Sequence, residues 1–269
     1  MRRRGAVPAP GLTVVSGASG GIGAGIVAAL AQPGARLVLT ARNADALERV
    51  AEQARSRGAE VSVRPCDLRD QDAVARCAAR ILEHDGVPET LICCAGRSLH
   101  RPLARSFARP DDLGRLSAVN LVGTAGLILA LLEPMCAAGK GTVVAVTSAS
   151  ARIPAPGWAA YTASKAGLDS WLRSMRPEAA RCGVRIAIVE VPLVATPMSA
   201  PLYGMAPRGA LSPEQGSAFV LRALRPHRTL VSPLWSRIAA PIAQAAPTAA
   251  ARAAGSIGRL AVRFARSDR

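Results

Sequence analysis

A tyrosine and a lysine four residues apart, Tyr161 and Lys165, follow a serine, Ser148, in a chain of 269 residues. The chain holds 34 basic residues, yet only two of them, Lys140 and Lys165, are lysines. Spacing of four on a helix puts both side chains on one face, one turn apart. An ammonium beside a phenol favours the phenolate and lowers the tyrosine pKa from its ordinary value of about 10. A tyrosine tuned in this way exchanges a proton near neutral pH, and Ser148 can donate to the same oxygen. An arginine-rich chain that keeps lysine at 165 points to a need for a compact, desolvatable amine. The competing reading is an amphipathic pair on a solvated helix face.

Placing these groups takes a strand, a loop and a helix. Thr142 to Val146 is a β-branched, uncharged run that reads as a buried strand ending in Thr147 and Ser148. Pro154 to Gly157 forms a loop, and the helix carrying Tyr161 and Lys165 begins after it, with Pro177 marking a bend. A long helical segment, 111–135, holds Asn120 between Val119 and Leu121. An amide in such a face needs partners, either a neighbouring backbone or a water near Lys165.

The start of the chain supplies a second set of groups. Residues 12–16 read as a strand, followed by Ser16-Gly17-Ala18-Ser19-Gly20-Gly21-Ile22-Gly23 and an apolar helix from Ile26 to Leu30. Glycines at a strand-to-helix turn let backbone N–H groups approach a pyrophosphate. The next strand, Ala35 to Thr40, ends at Ala41 and Arg42. An NAD site usually places an acid there to hold the ribose 2′-hydroxyl. A guanidinium suits a 2′-phosphate instead, so NADP(H) is expected over NAD(H). A helix over 43–57 and a strand over 60–64 lead to Asp67 and Leu68, where Asp67 either accepts from an adenine amino group or caps the helix starting near Asp70. After a helix at 70–84, the strand 90–94 ends at Ala95-Gly96, a place for close backbone approach to a ligand. His100 and Arg101, just beyond, read as solvated. A sixth strand, 184–191, runs into Pro192 and Thr196. Residues 199–211 read as a mobile lid, Ser212-Pro213 opens a helix to about Leu224, and 229–232 is a last strand.

Bulk properties narrow the classes. Half the residues are hydrophobic and 3% aromatic, which excludes disorder and aromatic platforms for single-stranded nucleic acid. The net charge of +16 is concentrated at the two ends, which hold eight of it, so a soluble surface is expected and nucleic-acid binding is not. The six cysteines form no CxxC pair and no histidine lies at ligand spacing, so no metal is expected and a reducing cytoplasm fits. Pro8, Pro10 and Gly11 break the basic N-terminus, which argues against a signal peptide, and no apolar run of about 18 residues predicts a spanning helix. In the tail, Ile257, Leu260, Ala261 and Phe264 fall on one helical face with Arg252, Arg259, Arg263 and Arg266 away from it. Such a helix packs on its own domain or a partner, or lies on an anionic membrane.

Alternating strands and helices predict an α/β fold, a Rossmann-like doubly wound parallel sheet in three αβα layers. The expected organisation is a single domain over 11–232, a flexible basic segment at 1–10 and an Ala/Arg-rich helical extension at 233–269. Over roughly residues 10–232 the chain resembles the short-chain dehydrogenase/reductase family. Its Gly17, Gly21 and Gly23 match that family's cofactor turn, Ser148, Tyr161 and Lys165 its catalytic core, and Asn120 its fourth catalytic position. The chain departs from the family pattern in places: Ser16 replaces Thr, Cys93-Cys94-Ala95-Gly96 stands where the family has Asn-Asn-Ala-Gly, so the amide that ties the central strand is missing at Cys94, and the Gly expected after Pro192 is absent, with Thr196 one residue early.

The resemblance implies hydride transfer between nicotinamide and a carbonyl or secondary alcohol. Tyr161 would act as acid/base, Ser148 would hold the substrate oxygen, Lys165 would lower the Tyr161 pKa and bind ribose, and Asn120 would order a water. Cofactor contacts are implied for Gly17, Ser19, Gly21, Ile22, Gly23, Arg42, Asp67, Leu68, Ala95, Gly96, Asn120, Tyr161, Lys165, Pro192 and Thr196. A homo-oligomer, dimer or tetramer, is implied through the helices at 111–135 and 158–180. The apolar loop with Leu193, Val194, Met198, Leu202, Tyr203 and Met205 suggests a lipophilic small molecule. The alternatives are a silent NADP(H)-binding scaffold and a reductase held at the inner membrane face by its basic tail.

Overall fold

A computed structural model describes residues 11–204 and 209–256. The expected tail helix face at 257–264, the segment 1–10 and Met205 lie outside the described residues. Seven parallel strands form one sheet: β1 (Thr13–Ser16), β2 (Arg36–Thr40), β3 (Glu60–Val63), β4 (Thr90–Cys93), β5 (Gly141–Val146), β6 (Val184–Val189) and β7 (Leu230–Val231), in the order β3-β2-β1-β4-β5-β6-β7. The helices are α1 (Gly21–Leu30), α2 (Ala44–Arg55), α3 (Gln71–His84), α4 (Leu103–Ser106), α5 (Asp112–Ser117), α6 (Thr124–Ala137), α7 (Ala159–Arg181), α8 (Ala200–Tyr203), α9 (Pro213–Leu221) and α10 (Leu234–Ala245). Chain direction across the sheet reverses between β1 and β4, and a crevice opens at their carboxyl ends, where open α/β sheets bind ligands.

The strands read as continuous apolar runs because both sheet faces are covered. Val14, Leu91, Val143 and Ile186 point into one core with Leu127, Leu131 and Leu168 of α6 and α7. Val15, Ile92, Val144 and Ala187 point into the other with Ile26, Leu47 and Val220 of α1, α2 and α9. Local signals fix the helix starts. Asn43 accepts from Ala46 N at 2.9 Å, Asp70 accepts from Asp72 N and Ala73 N, and Ser212 and Gln215 form a capping box.

Three regions differ from expectation. The segment 111–135 is not a uniform helix, because a π-helical turn, Ala118–Gly123, joins α5 to α6. Thr124 Oγ1 donates to Val119 O at 2.9 Å there. A Cβ at Gly123 would lie 1.8 Å from Leu68 O, so only glycine lets this turn meet the β3–α3 connection. Second, the stretch Asp112–Ala137 is long and apolar enough to cross a membrane by composition, with mean hydropathy 1.8. Its Leu127, Ile128, Leu131 and Met135 fill the core, and it is the central helix of one layer. Third, the segment expected to be a mobile lid carries regular structure among its described residues: α8 lies within it, and a bridge from Val194 to Leu211 staples its base, with Ala195 N donating to Leu211 O at 2.9 Å.

Candidate active site

The β1–α1 turn is built by backbone. Gly17 sits at φ 71°, and its N–H donates to Thr40 O at 2.8 Å. A Cβ there would lie 2.6 Å from Ala95 N, and one at Gly23 would lie 2.1 Å from Gly17 O. Glycine is therefore a steric requirement at both positions. No side chain caps α1 and no acid lies in its first turn, which leaves N-terminal N–H groups facing the cleft. Beside them runs a cleft of about 630 Å³, lined by Gly17, Ser19, Gly21, Ile22 and Gly23 on one side and by Arg42, Asp67, Leu68, Ala95 and Gly96 on the other.

At the far end of this cleft Arg42 is joined by a residue the sequence reading missed, Arg69. Arg69 Nε donates to Asp67 Oδ2 at 2.9 Å, and its backbone N–H donates to Asp67 Oδ1 at 3.0 Å. The hydrogen bond from Arg69 holds the Asp67 carboxyl below the usual carboxylate range. The expected cap role for Asp67 is not realised, since Asp70 caps α3. No local pattern distinguishes Arg69 from the many solvated arginines.

A second cleft of about 360 Å³ adjoins the first and shares Ile22, Cys94, Gly96 and Thr196 with it. Ser148, Tyr161, Lys165 and Pro192 line this second cleft, so the structure brings the serine, tyrosine and lysine together. Ser148, buried at the end of β5, has its hydroxyl 2.8 Å from that of Ser150 and accepts from Ser150 N at 3.2 Å. Lys165 is buried, and its Nζ donates to Val146 O at 2.9 Å. Burial lowers its pKa from 10.5 to about 8.

The expected depression of the Tyr161 pKa is not found. Desolvation pushes the phenol above its ordinary value, and the hydrogen bond with Ser148 pulls it back only in part. The physical reason is that burial excludes the water that would stabilise a phenolate, while the Lys165 ammonium is turned to Val146 O and is not among the influences on the phenol.

Asn120, fully buried in the π-helical turn, makes the backbone tie rather than standing open. Its Oδ1 accepts from Arg97 N at 2.8 Å, and its Nδ2 donates to Arg97 O at 2.8 Å and Ser164 Oγ at 2.9 Å. A Cβ at Gly96 would lie 3.2 Å from Asn120 Oδ1 and 3.3 Å from Lys165 Nζ, so the bare backbone at 96 lets these groups meet. Cys94 still holds the central strand in place, its N–H donating to Ser16 O at 3.1 Å. Thr196 is seated without the glycine expected after Pro192. Its N–H donates to Ser199 Oγ at 3.0 Å, and its methyl group packs near the open face of Gly21.

Further residues missed from sequence form the outer wall. Trp158 stacks on Tyr203, with ring centroids 6.1 Å apart, and meets Tyr161 edge-on at 5.7 Å. His100, expected to be solvated, packs on Trp158 at 5.2 Å, and Arg101 pairs with the buried Asp112. Trp235 of α10 also lines this cleft. Among the described residues no His/Cys/Asp/Glu group could hold a metal.

A dinucleotide is tested by these features. The glycine cradle, the uncapped α1 and Arg42, with the Arg69–Asp67 pair beside it, all fit one, while Ser148, Tyr161 and Lys165 line the second cleft, which shares Gly96 with the first. The family model for short chain dehydrogenases matches residues 12–206. The chain belongs to the short-chain dehydrogenase/reductase family. It is accordingly an NAD(P)-dependent oxidoreductase. A fatty acyl-CoA reductase of Acinetobacter baylyi is 34% identical over 221 residues, covering 81% of this chain and 74% of that protein. An uncharacterized oxidoreductase of Mycobacterium bovis is 37% identical over 224 residues, covering 81% of this chain and 65% of its own. Among solved structures, a metagenomic short-chain oxidoreductase in complex with NADP superposes with a TM-score of 0.70 at 31% identity, covering 83% of this chain and 95% of that one. A short-chain dehydrogenase from Streptomyces avermitilis, TM-score 0.75 at 24% identity over 93% of this chain and 98% of its own, shares the fold.

Proposed function

We propose that the protein is an NADP(H)-dependent reductase of lipophilic aldehydes or ketones, in which Tyr161 passes a proton to the carbonyl oxygen. The observation that carries this reading is the meeting of Tyr161, Ser148 and a buried Lys165 in an aromatic-walled cleft that adjoins a glycine-cradled one. The nicotinamide cofactor, when bound, supplies the hydride to the carbonyl carbon or takes it from the alcohol. Tyr161 then acts as general acid, and Ser148 hydrogen-bonds the same oxygen as charge develops. Lys165, held by the Val146 carbonyl, binds ribose hydroxyls. Asn120 positions Gly96 and Arg97, and its second Oδ1 lone pair serves a water near Lys165. Arg42 and Arg69 favour a 2′-phosphate, which gives the preference for NADP(H); the NADP-bound relative supports the same choice.

The aromatic wall and the acyl-CoA reductase relative support an aliphatic chain on the substrate. A homo-oligomer through α5–α7 is supported by Val122 and Leu129, both about half exposed on that layer. The six free cysteines fit a reducing cytoplasm. Short-, medium- and long-chain aldehydes and ketones offered with NADPH test the reading. Turnover that rises with chain length is expected. Tight NADPH binding with no turnover on any member would instead make the chain a cofactor-binding scaffold.

A further inference from the structure

The C-terminal helix α10 has two faces. Ser236, Ala240 and Ala243 are buried against the body, and Arg152, at the end of the loop after β5, donates to Gln244 Oε1 at 3.0 Å. The opposite face carries Leu234, Trp235, Ile238 and Ile242 at 71, 54, 59 and 61% exposure. Soluble surfaces seldom leave four large apolar side chains in line. This stripe is continuous with the second cleft, because Trp235 also lines it. Met198, which also lines this cleft, and Leu202 of α8 are both about half exposed.

The stretch of sequence that contains this face is basic, with Arg237 on α10 itself. Between Glu214 and Asp268 the chain has no acidic residue, and it has eight arginines, four of them after α10 at 252, 259, 263 and 266. A second copy of the chain seated on this face in a two-fold contact would bring two such cationic segments together without acids to meet them. An anionic bilayer meets both requirements, taking the apolar stripe at its interface and the arginines at its headgroups.

We propose that the outer face of α10, with Met198 and Leu202 beside the cleft, docks the mouth of the second cleft on an anionic lipid bilayer, so that a lipophilic substrate enters from the membrane. The substrate part of this inference rests on the reading of the second cleft given above; the docking part does not. Co-sedimentation of the full chain with vesicles of phosphatidylcholine, with and without phosphatidylglycerol, tests it. Binding to the anionic vesicles should exceed binding to neutral ones by about tenfold or more. The double variant Ile238→Ser/Ile242→Ser should lose about tenfold of that binding. It should keep the wild-type melting temperature, oligomeric state and NADPH turnover of a water-soluble carbonyl. Equal sedimentation of wild type and variant would overturn the proposal, since the arginines alone would then suffice. A smaller oligomer in the variant would overturn it in favour of a second copy. Quenching of wild-type tryptophan fluorescence by brominated-chain lipid gives the same answer without a substitution, and absence of quenching would sink the idea. Vesicle binding requires no turnover, so its loss and the loss of the reductase reading are separate results.

Discussion

Around the β1–α1 turn the surface facing the cleft is mostly backbone. Gly17, Gly23 and Gly96 matter for the side chains they lack, and neighbouring atoms stand within 2.1–3.3 Å of where a Cβ would go. Around Tyr161 the surface is side chain, drawn from Trp158, Tyr203 and Trp235 on three separate elements, with an exposed rim. On the reading proposed above, the first region would recognise a constant part through fixed N–H groups and the guanidiniums of Arg42 and Arg69. The second offers area and little directional bonding, which suits a variable apolar part. The proton-bearing residues lie on the seam, and separability of the two regions across that seam can be tested.

The largest effect is expected from Tyr161→Phe. Turnover should fall by about 10³-fold or more, while NADPH affinity stays within about twofold, because the glycine cradle and Arg42 are untouched. Steady-state rates and fluorescence titration with NADPH check this. Loss of cofactor binding would mean that the seam belongs to the cofactor half and that Tyr161 is structural.

Arg42→Ala comes next. Loss of a charge-assisted contact to a 2′-phosphate is worth about 2 kcal/mol, or roughly thirtyfold in NADPH affinity, with NADH affinity unchanged. Parallel titrations with the two cofactors read it. A drop of only a few-fold, deepened by adding Arg69→Ala, would show that Arg69 shares the phosphate.

The two regions also differ in how far sequence reveals them. Glycine spacing, the Ser148–Tyr161–Lys165 spacing and apolar strand runs are local, so the doubly wound parallel sheet and the glycine-rich turn are readable, while the order of the strands is a tertiary property. Arg69 is not readable, because its role depends on a carboxylate two residues away folding back beside a strand end that only the sheet brings near Arg42. Trp158 and Trp235 are 77 residues apart. They share a wall only after α10 crosses back over the loop that follows β5, a long-range contact with no periodic trace. The Tyr161 pKa escapes the sequence for the same reason: spacing places the lysine on the same helix face, but the burial that raises the phenol and the Val146 carbonyl that takes the ammonium both come from the tertiary fold.

Lys165 lies at the seam and should show the cost of that burial. The fall in its pKa from 10.5 to about 8 corresponds to a penalty of about 3 kcal/mol for keeping it charged. Between about pH 8 and 10.5 the unfolded chain binds more protons at this residue than the native one, so this residue makes stability rise with pH through that window. Lys165→Met removes the penalty but leaves Val146 O without its donor, at a cost of about 1 kcal/mol. The variant should therefore be inactive yet more stable near neutral pH by about 1–2 kcal/mol, with a flatter pH dependence above 8. Urea melts at several pH values give both. A destabilised variant would show that the hydrogen bond outweighs desolvation.

Trp235→Ala should have the smallest effect and the sharpest meaning for the comparison. The side chain is about half exposed, so a bound chain reaching it recovers only part of its area, about 1 kcal/mol or roughly fivefold in KM. That loss should appear for long-chain substrates only. Short-chain KM, NADPH affinity and kcat should all hold, because the indole touches neither the glycine cradle nor the proton-bearing groups. A uniform rise in KM across chain lengths would mean that α10 steadies the Tyr161 loop rather than contacting the substrate. The aromatic region would then be a prop for the seam, and its likeness to a recognition surface would be incidental.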